Sequence, residues 1–156
     1  MDLALLGNVT LNSFTSESAA PDVIRNLRDA VRPDGHVVLV AFHESSLKRF
    51  VHLREMCDAV SFEDRRGNRR LIRRGVDFLP DTRNLRHNYF IEAHAGDPYP
   101  FPGVMGIHEE HVWTSGEVRL MAEKMGLAYE HRVTMEVTGG GAHGWPVDAL
   151  LLRTQT

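Results

Sequence analysis

Two uninterrupted apolar runs, Leu3-Ala4-Leu5-Leu6 and Val37-Val38-Leu39-Val40-Ala41-Phe42, flank a segment in which Val23, Leu27 and Val31 recur every four residues among Arg25, Arg28 and Asp29. Apolar runs without alternation fit strands covered on both faces, as the strands of parallel sheets are. The four-residue recurrence fits a helix with one apolar side. Pro21 suits that helix's first turn, and Pro33-Asp34-Gly35 breaks it. Strand, helix and strand in this order predict a right-handed βαβ unit, and with it an α/β fold.

Further along, Leu47, Phe50, Val51, Leu53, Met56, Cys57 and Val60 have spacing that predicts a helix over 47–60. Six arginines, at 65, 66, 69, 70, 73 and 74, surround Gly67-Asn68, so residues 61–78 read as a solvated hairpin or loop pair. Aromatic and branched side chains predict a strand over 86–94, and three prolines with three glycines predict a loop over 95–106. Residues 107–113 read as a strand. Thr114-Ser115-Gly116-Glu117 then has capping-box spacing ahead of Val118, Met121, Ala122 and Met125, a helix that ends at Gly126. Two last strands are predicted over 129–137 and 147–153, with a glycine-rich loop between them.

Composition narrows the class of function. With 42% hydrophobic and 25% charged residues the chain is that of one globular domain, and its net charge of −3 supplies no field for nucleic acid or an anionic membrane. The single cysteine, Cys57, rules out an internal disulfide and fits a reducing, cytoplasmic setting. The apolar opening has no basic segment before it, so it does not read as a secretory signal, and no run has the length of a membrane span.

Several of these motifs, taken in order, resemble the second half of the class I S-adenosylmethionine-dependent methyltransferases, the small-molecule N- and O-methyltransferases above all. Asp2 with Leu3 to Asn8 is similar to the family's strand of an Asp, an apolar run and Gly-Asn. Ala30-Val31-Arg32-Pro33-Asp34-Gly35 before Val37 to Phe42 is similar to its helix end and next strand. Trp113-Thr114-Ser115-Gly116-Glu117-Val118 and Met125-Gly126-Leu127 resemble the start and end of a later helix. The resemblance implies a partial Rossmann-like methyltransferase sheet, its later strands and helices, with a small antiparallel lid insertion. Within one domain over 1–156, residues 1–60 and 107–156 would form the methyltransferase half and 61–106 the lid.

The family binds its methyl donor on a Gly-rich loop after its first strand and an acidic residue after its second, and neither has a counterpart here. Gly139 to Gly141 precedes Trp145-Pro146 and opens no helix, so it reads as a plain loop. The chain thus reads as starting mid-domain, and a long apolar edge strand is an aggregation hazard unless something pairs with it. A partner polypeptide carrying the donor half, or a homodimer, is expected. The function implied is a component of a split or heteromeric enzyme that moves a methyl group from S-adenosylmethionine to N or O of a small-molecule acceptor. A non-catalytic partner that stabilises or regulates a full-length methyltransferase is the alternative.

The resemblance also assigns candidate residues. Leu6, Gly7, Asn8 and Thr10 stand at the carboxyl end of a central strand, where open α/β sheets place ligands, and would bind the cofactor. Asn12, His108 and Trp113 would meet the substrate. His87, Tyr89 and His111 are candidate catalytic groups, since His87 and Tyr89 share a face on a strand and both carry groups able to move a proton. Each has a plainer alternative as a capped strand end, a core group or a polar surface. His108-Glu109-Glu110-His111 suggests a metal, but histidines three apart on a strand face opposite ways, so no metal site is assigned. The arginines read as a solvated face or subunit contact, Cys57 as core, and Tyr99 and Trp145 as packing or lid aromatics.

Overall fold

A computed structural model describes all residues except 8, 17, 52, 54–55, 94–102, 138–144 and 156, and the side chains of 56–58. The elements are β1 (Leu3–Leu6), a 3-10 turn (Thr10–Ser13), α1 (Ala19–Ala30), β2 (His36–Phe42) and α2 (Glu44–Phe50). There follow β3 (Met56–Glu63), β4 (Arg69–Leu79), β5 (Asn84–Ala93), β6 (Val104–His111), α3 (Ser115–Lys124), β7 (Leu127–Val137) and β8 (Trp145–Thr154). They form two compact units, Met1–Phe50 with Glu110–Thr156, and Val51–Glu109.

The first unit is an α/β sheet of order β1-β2-β8-β7. β1 and β2 are parallel and joined by α1, as the two apolar runs predict, whereas β8 is antiparallel to both of its neighbours. One face is closed. Ala4, Val37, Leu39, Ala41, Leu150 and Leu152 pack with Ala20 and Ile24 of α1 and Val118 and Ala122 of α3. Each large side chain removed from water there contributes about 1.5–3 kcal/mol.

Local chemistry sets the helix ends. The Thr114 and Glu117 pair makes the predicted capping box of α3. Gly126, with φ of 81°, takes the left-handed position that closes this helix, and Arg28 of α1 donates to the Met125 carbonyl at 2.6 Å. Before β2 the chain turns so tightly that a Cβ on Gly35 would stand 2.3 Å from the Val31 side chain and 3.0 Å from the carbonyls of Arg32 and Asp2. No larger residue fits without moving backbone.

The other face departs from expectation. Leu3 and Leu5 were expected inside a doubly covered strand, yet they are 54% and 65% exposed, and only Ala4 of β1 is buried by the helices. Side chains alternate across a strand, and α1 and α3 cover one side only. Leu5, Val38, Leu151 and His131 stand in register across the four strands, as do Val40, Ala149 and Val133. Phe50 of α2 packs on Phe42 and Trp145 at ring distances of 5.0 and 4.8 Å, at one end of this open face.

In the second unit the sheet order is β3-β4-β5-β6. Residues 56–60, expected as the end of a helix, are strand, because Met56 to Glu63 pairs antiparallel with Arg69 to Val76 and satisfies its backbone across the hairpin. The second compact unit runs from Val51 to Glu109. Val104 to Gly106, expected as loop, begin β6, and the loop's residues 95–102 lie outside the described residues. Arginines fall on both sides of this sheet. Arg73 bonds Glu92 and Arg86 bonds Glu109, both at 2.8 Å, while Arg70 is buried against Asp64.

Asp64 organises the hairpin turn. Its carboxylate accepts from the backbone N–H groups of Asn68 and Arg66, from the Asn68 amide and from Arg70. The Asn68 backbone bond leads these in holding its pKa at about 2, below the ordinary 3.8. A depressed pKa contributes stability present above the unfolded value and lost as pH falls through the folded one. Thermal melts of the protein are therefore expected to lose this contribution between about pH 4 and pH 2, and Asp64→Asn is expected to flatten that part of the profile.

Candidate functional site

The carboxyl end of β1 is a tight polar corner. Gly7 accepts from both the backbone N–H and the hydroxyl of Thr10, at 3.1 and 2.7 Å, so both lone pairs of its carbonyl are engaged. Val9 is held at φ 49°, ψ 26°, a left-handed conformation that costs a β-branched residue on the order of 1–2 kcal/mol. Strain of this kind persists where surrounding structure imposes it, and it clusters at functional sites. Asn8 lies outside the described residues.

Asn12 follows in the 3-10 turn and is the unusual group. It is fully buried, and among the described residues neither its amide nitrogen nor its carbonyl oxygen has a hydrogen-bond partner. A buried amide left this way costs about 1–3 kcal/mol. Leu6, Phe14 and Trp113 pack against the same core cluster, and the Trp113 indole donates to the Phe14 carbonyl at 3.1 Å. His111 lies against Trp113 with ring centroids 4.2 Å apart. The first unit thus carries Leu6, Gly7, Thr10, Asn12, His111 and Trp113.

The second unit carries the rest. His87 and Tyr89, two apart on β5, stack at 6.2 Å, and His87 lies 6.0 Å from His108 of β6. His94, Tyr99 and the glycine-rich loop lie outside the described residues, and so does the side chain of Cys57.

A second polar cluster was not anticipated. Asp148 of β8 is fully buried and accepts from Ser115 at 2.5 Å and from Thr134 at 2.6 Å. Glu44 accepts from the Ser115 hydroxyl and the Gly116 backbone N–H at the start of α3. The Ser115 hydroxyl thus lies between the two carboxylates, 2.5 Å from Asp148 and 2.9 Å from Glu44. Burial pushes the Glu44 carboxyl up, but bonds from its own backbone N–H, Ser115 and Gly116, with nearby His43, outweigh this and hold it below the ordinary range. His43, Glu44 and Asp148 bring ligand atoms within 4.8 Å of one another. Arg132 stands 3.8 and 3.6 Å from the two carboxylates, so a guanidinium already supplies the positive charge a metal would bring. One signal in the sequence pointed here: Asp148 interrupts an otherwise apolar strand.

Neither the family models nor the curated proteins compared with the sequence match it. Solved structures do. The sugar N-methyltransferase KedS8 from Streptoalloteichus sp ATCC 53650 superposes with a TM-score of 0.69 at 11% identity, over 100% of this chain and 57% of that one. The chain has the S-adenosylmethionine-dependent methyltransferase fold. The CcbJ methyltransferase from Streptomyces caelestis matches 98% of this chain and 60% of its own length, with 15% identity and a TM-score of 0.68. An S-adenosylmethionine-dependent methyltransferase from Clostridium acetobutylicum ATCC 824 matches 100% and 59%, with 10% identity and the same score. The chain therefore spans less than two thirds of the length of the methyltransferases it is similar to. Among the described residues no helix is long and apolar enough to cross a membrane.

Proposed function

We propose that this chain is the acceptor-side component of a cytoplasmic methyltransferase, acting on N or O of a small metabolite with S-adenosylmethionine as donor. A polypeptide other than this sequence brings the Gly-rich donor loop and the acidic ribose ligand. A second copy of this chain would lack the same two features. The observation that carries the reading is the corner after β1: a strained Val9 and a buried, unpartnered Asn12 amide at the carboxyl end of a sheet strand.

The residues present fit part of the donor. Leu6 and Gly7 backbone, Thr10 and the Asn12 amide would hold its polar methionine end, or the acceptor beside it; nothing in the sequence fits its adenosine end. The bound donor supplies an electrophilic methyl group. This chain's own task is to orient the acceptor and exclude water, which accounts for most of the rate in such transfers. In the first unit Trp113 offers an apolar wall and His111 is the candidate to take a proton from an acceptor that carries one; in the second unit His87 and Tyr89 have groups able to do the same.

Calorimetric titration tests this. The chain alone is expected to take up S-adenosylmethionine weakly or not at all, and its folded assembly with the donor-half polypeptide to bind it stoichiometrically. An assembly that is folded and still silent refutes the proposal. A partner that binds the donor equally well without this chain points instead to a regulatory role.

A further inference from the structure

Two unfavourable features meet in the short segment after β1. Val9, a β-branched residue, sits at φ 49°, ψ 26°, a conformation that suits glycine or asparagine. Three residues on, the Asn12 side chain is fully buried, and among the described residues neither of its polar atoms has a hydrogen-bond partner. Buried side-chain amides are seldom left in that condition. A segment that holds both features is under pressure to rearrange.

One movement relieves both. The 3-10 turn Thr10–Ser13 hangs between Val9 and Phe14, and its own bonds are few. The Thr10 backbone N–H and hydroxyl reach the Gly7 carbonyl at 3.1 and 2.7 Å, the Asn12 N–H donates to Val9 at 2.9 Å, and the Phe14 N–H donates to Leu11 at 3.1 Å. Rotating Val9 into an ordinary region of backbone space swings the turn outward and frees the Asn12 amide. Leu11 opposes the swing, because it is 1% exposed and packs in the core cluster. Phe14 stays fixed beyond the turn, since the Trp113 indole donates to its carbonyl at 3.1 Å. Strain thus pushes the turn open while one leucine and a few local bonds keep it shut, the balance from which local opening arises.

The proposed site requires such an opening. Asn12 has no exposed surface in this conformation, so no ligand reaches its amide while the turn is shut. We infer that residues 9–13 are a two-state latch: closed as in this structure, or open with Val9 relaxed and the Asn12 amide presented, and that S-adenosylmethionine binds the open state alone. The inference rests on the reading of this corner as part of a methyl-transfer site and adds how that site is regulated. Affinity is then scaled down by the fraction of molecules whose latch is open, and residues that touch no ligand set that fraction. Val9 is the first of them.

Native-state hydrogen exchange of the full chain without ligand, read residue by residue by NMR, tests the latch. The amides of Asn12 and Phe14 are expected to exchange at least about tenfold faster than the slowest amides of β2 and β8, through an opening insensitive to low denaturant. Val9→Asn takes the left-handed conformation at less cost and is expected to slow that exchange about tenfold. Thr10→Val keeps the side chain's shape, removes the hydroxyl bond to Gly7, and is expected to speed it. Exchange at Asn12 as slow as in the strands, exchange that neither variant shifts, or a long-lived water on the Asn12 amide overturns the inference. Titration of the assembly with S-adenosylmethionine separates the two claims, with Val9→Asn expected to weaken binding by the factor that it slows exchange. Local opening without any S-adenosylmethionine binding removes the site and keeps a moving turn. Binding that Val9→Asn leaves unchanged removes the latch and keeps the site.

Discussion

Replacing Asn12 by leucine is expected to make the isolated protein more stable, by about 1–3 kcal/mol, while weakening whatever it binds at this corner. The native side chain is fully buried, and among the described residues neither of its polar atoms has a partner. Among the described residues no protein group replaces the water this amide gives up on folding, and an apolar group of similar shape avoids that cost. The opposite sign is expected for ligand affinity in the assembled enzyme. A hydrogen bond between a ligand and this buried amide contributes about 1.4 kcal/mol or more, so affinity for donor or acceptor should fall at least tenfold. Denaturant unfolding of the chain and titration of the assembly read the two effects separately. A variant that is less stable, or more stable with unchanged affinity, removes Asn12 from the site. Gains in stability on removing a functional group are the usual mark of a binding residue.

The largest loss of stability outside the apolar core is expected at Asp148. Asp148→Ala removes two short bonds from hydroxyls to a buried carboxylate and leaves Ser115, itself buried at the first turn of α3, with Glu44 as its acceptor. Bonds to charged groups contribute about 1.5–3 kcal/mol each, so unfolding free energy should fall by about 3–5 kcal/mol. Asp148→Asn can still bond both hydroxyls, since each can reverse its role, and should lose about half as much. Arg132 is half-exposed and adds little to this difference. A drop below about 1 kcal/mol in urea melts of the alanine variant would mean that the cluster is not carrying the start of α3.

Much of the first unit was readable because its signals are local. The apolar runs at Leu3 and Val37, the four-residue recurrence of Val23, Leu27 and Val31, and the box from Thr114 to Glu117 each involve neighbours along the chain. Met56, Cys57 and Val60 misled because their spacing suits a helix as well as a strand. What decides between them is pairing with Arg74 to Val76, across the hairpin. The one-sided cover of β1 was hidden for a similar reason: an apolar run does not reveal which of its faces another element reaches. The polar cluster draws Glu44, Ser115, Thr134 and Asp148 from four separate elements, a juxtaposition that spacing does not encode. Among the proposed site residues, Asn12 was legible as a type and a position at a strand's end. Its unpaired burial is a property of the packed corner alone.

The place of β8 in the sheet has a consequence for synthesis. β8 lies between β2 and β7, and its ladder to β2 joins Arg153 to His36 and Val147 to Phe42. Nearly the whole chain must therefore leave the ribosome before the middle of the first sheet can close. Residues 51–109 pair mostly with their sequence neighbours and can form on the nascent chain. The part with the proposed site is thus completed last, and until then β2 waits with one edge bare, the interval in which a chaperone or a wrong strand has its opening.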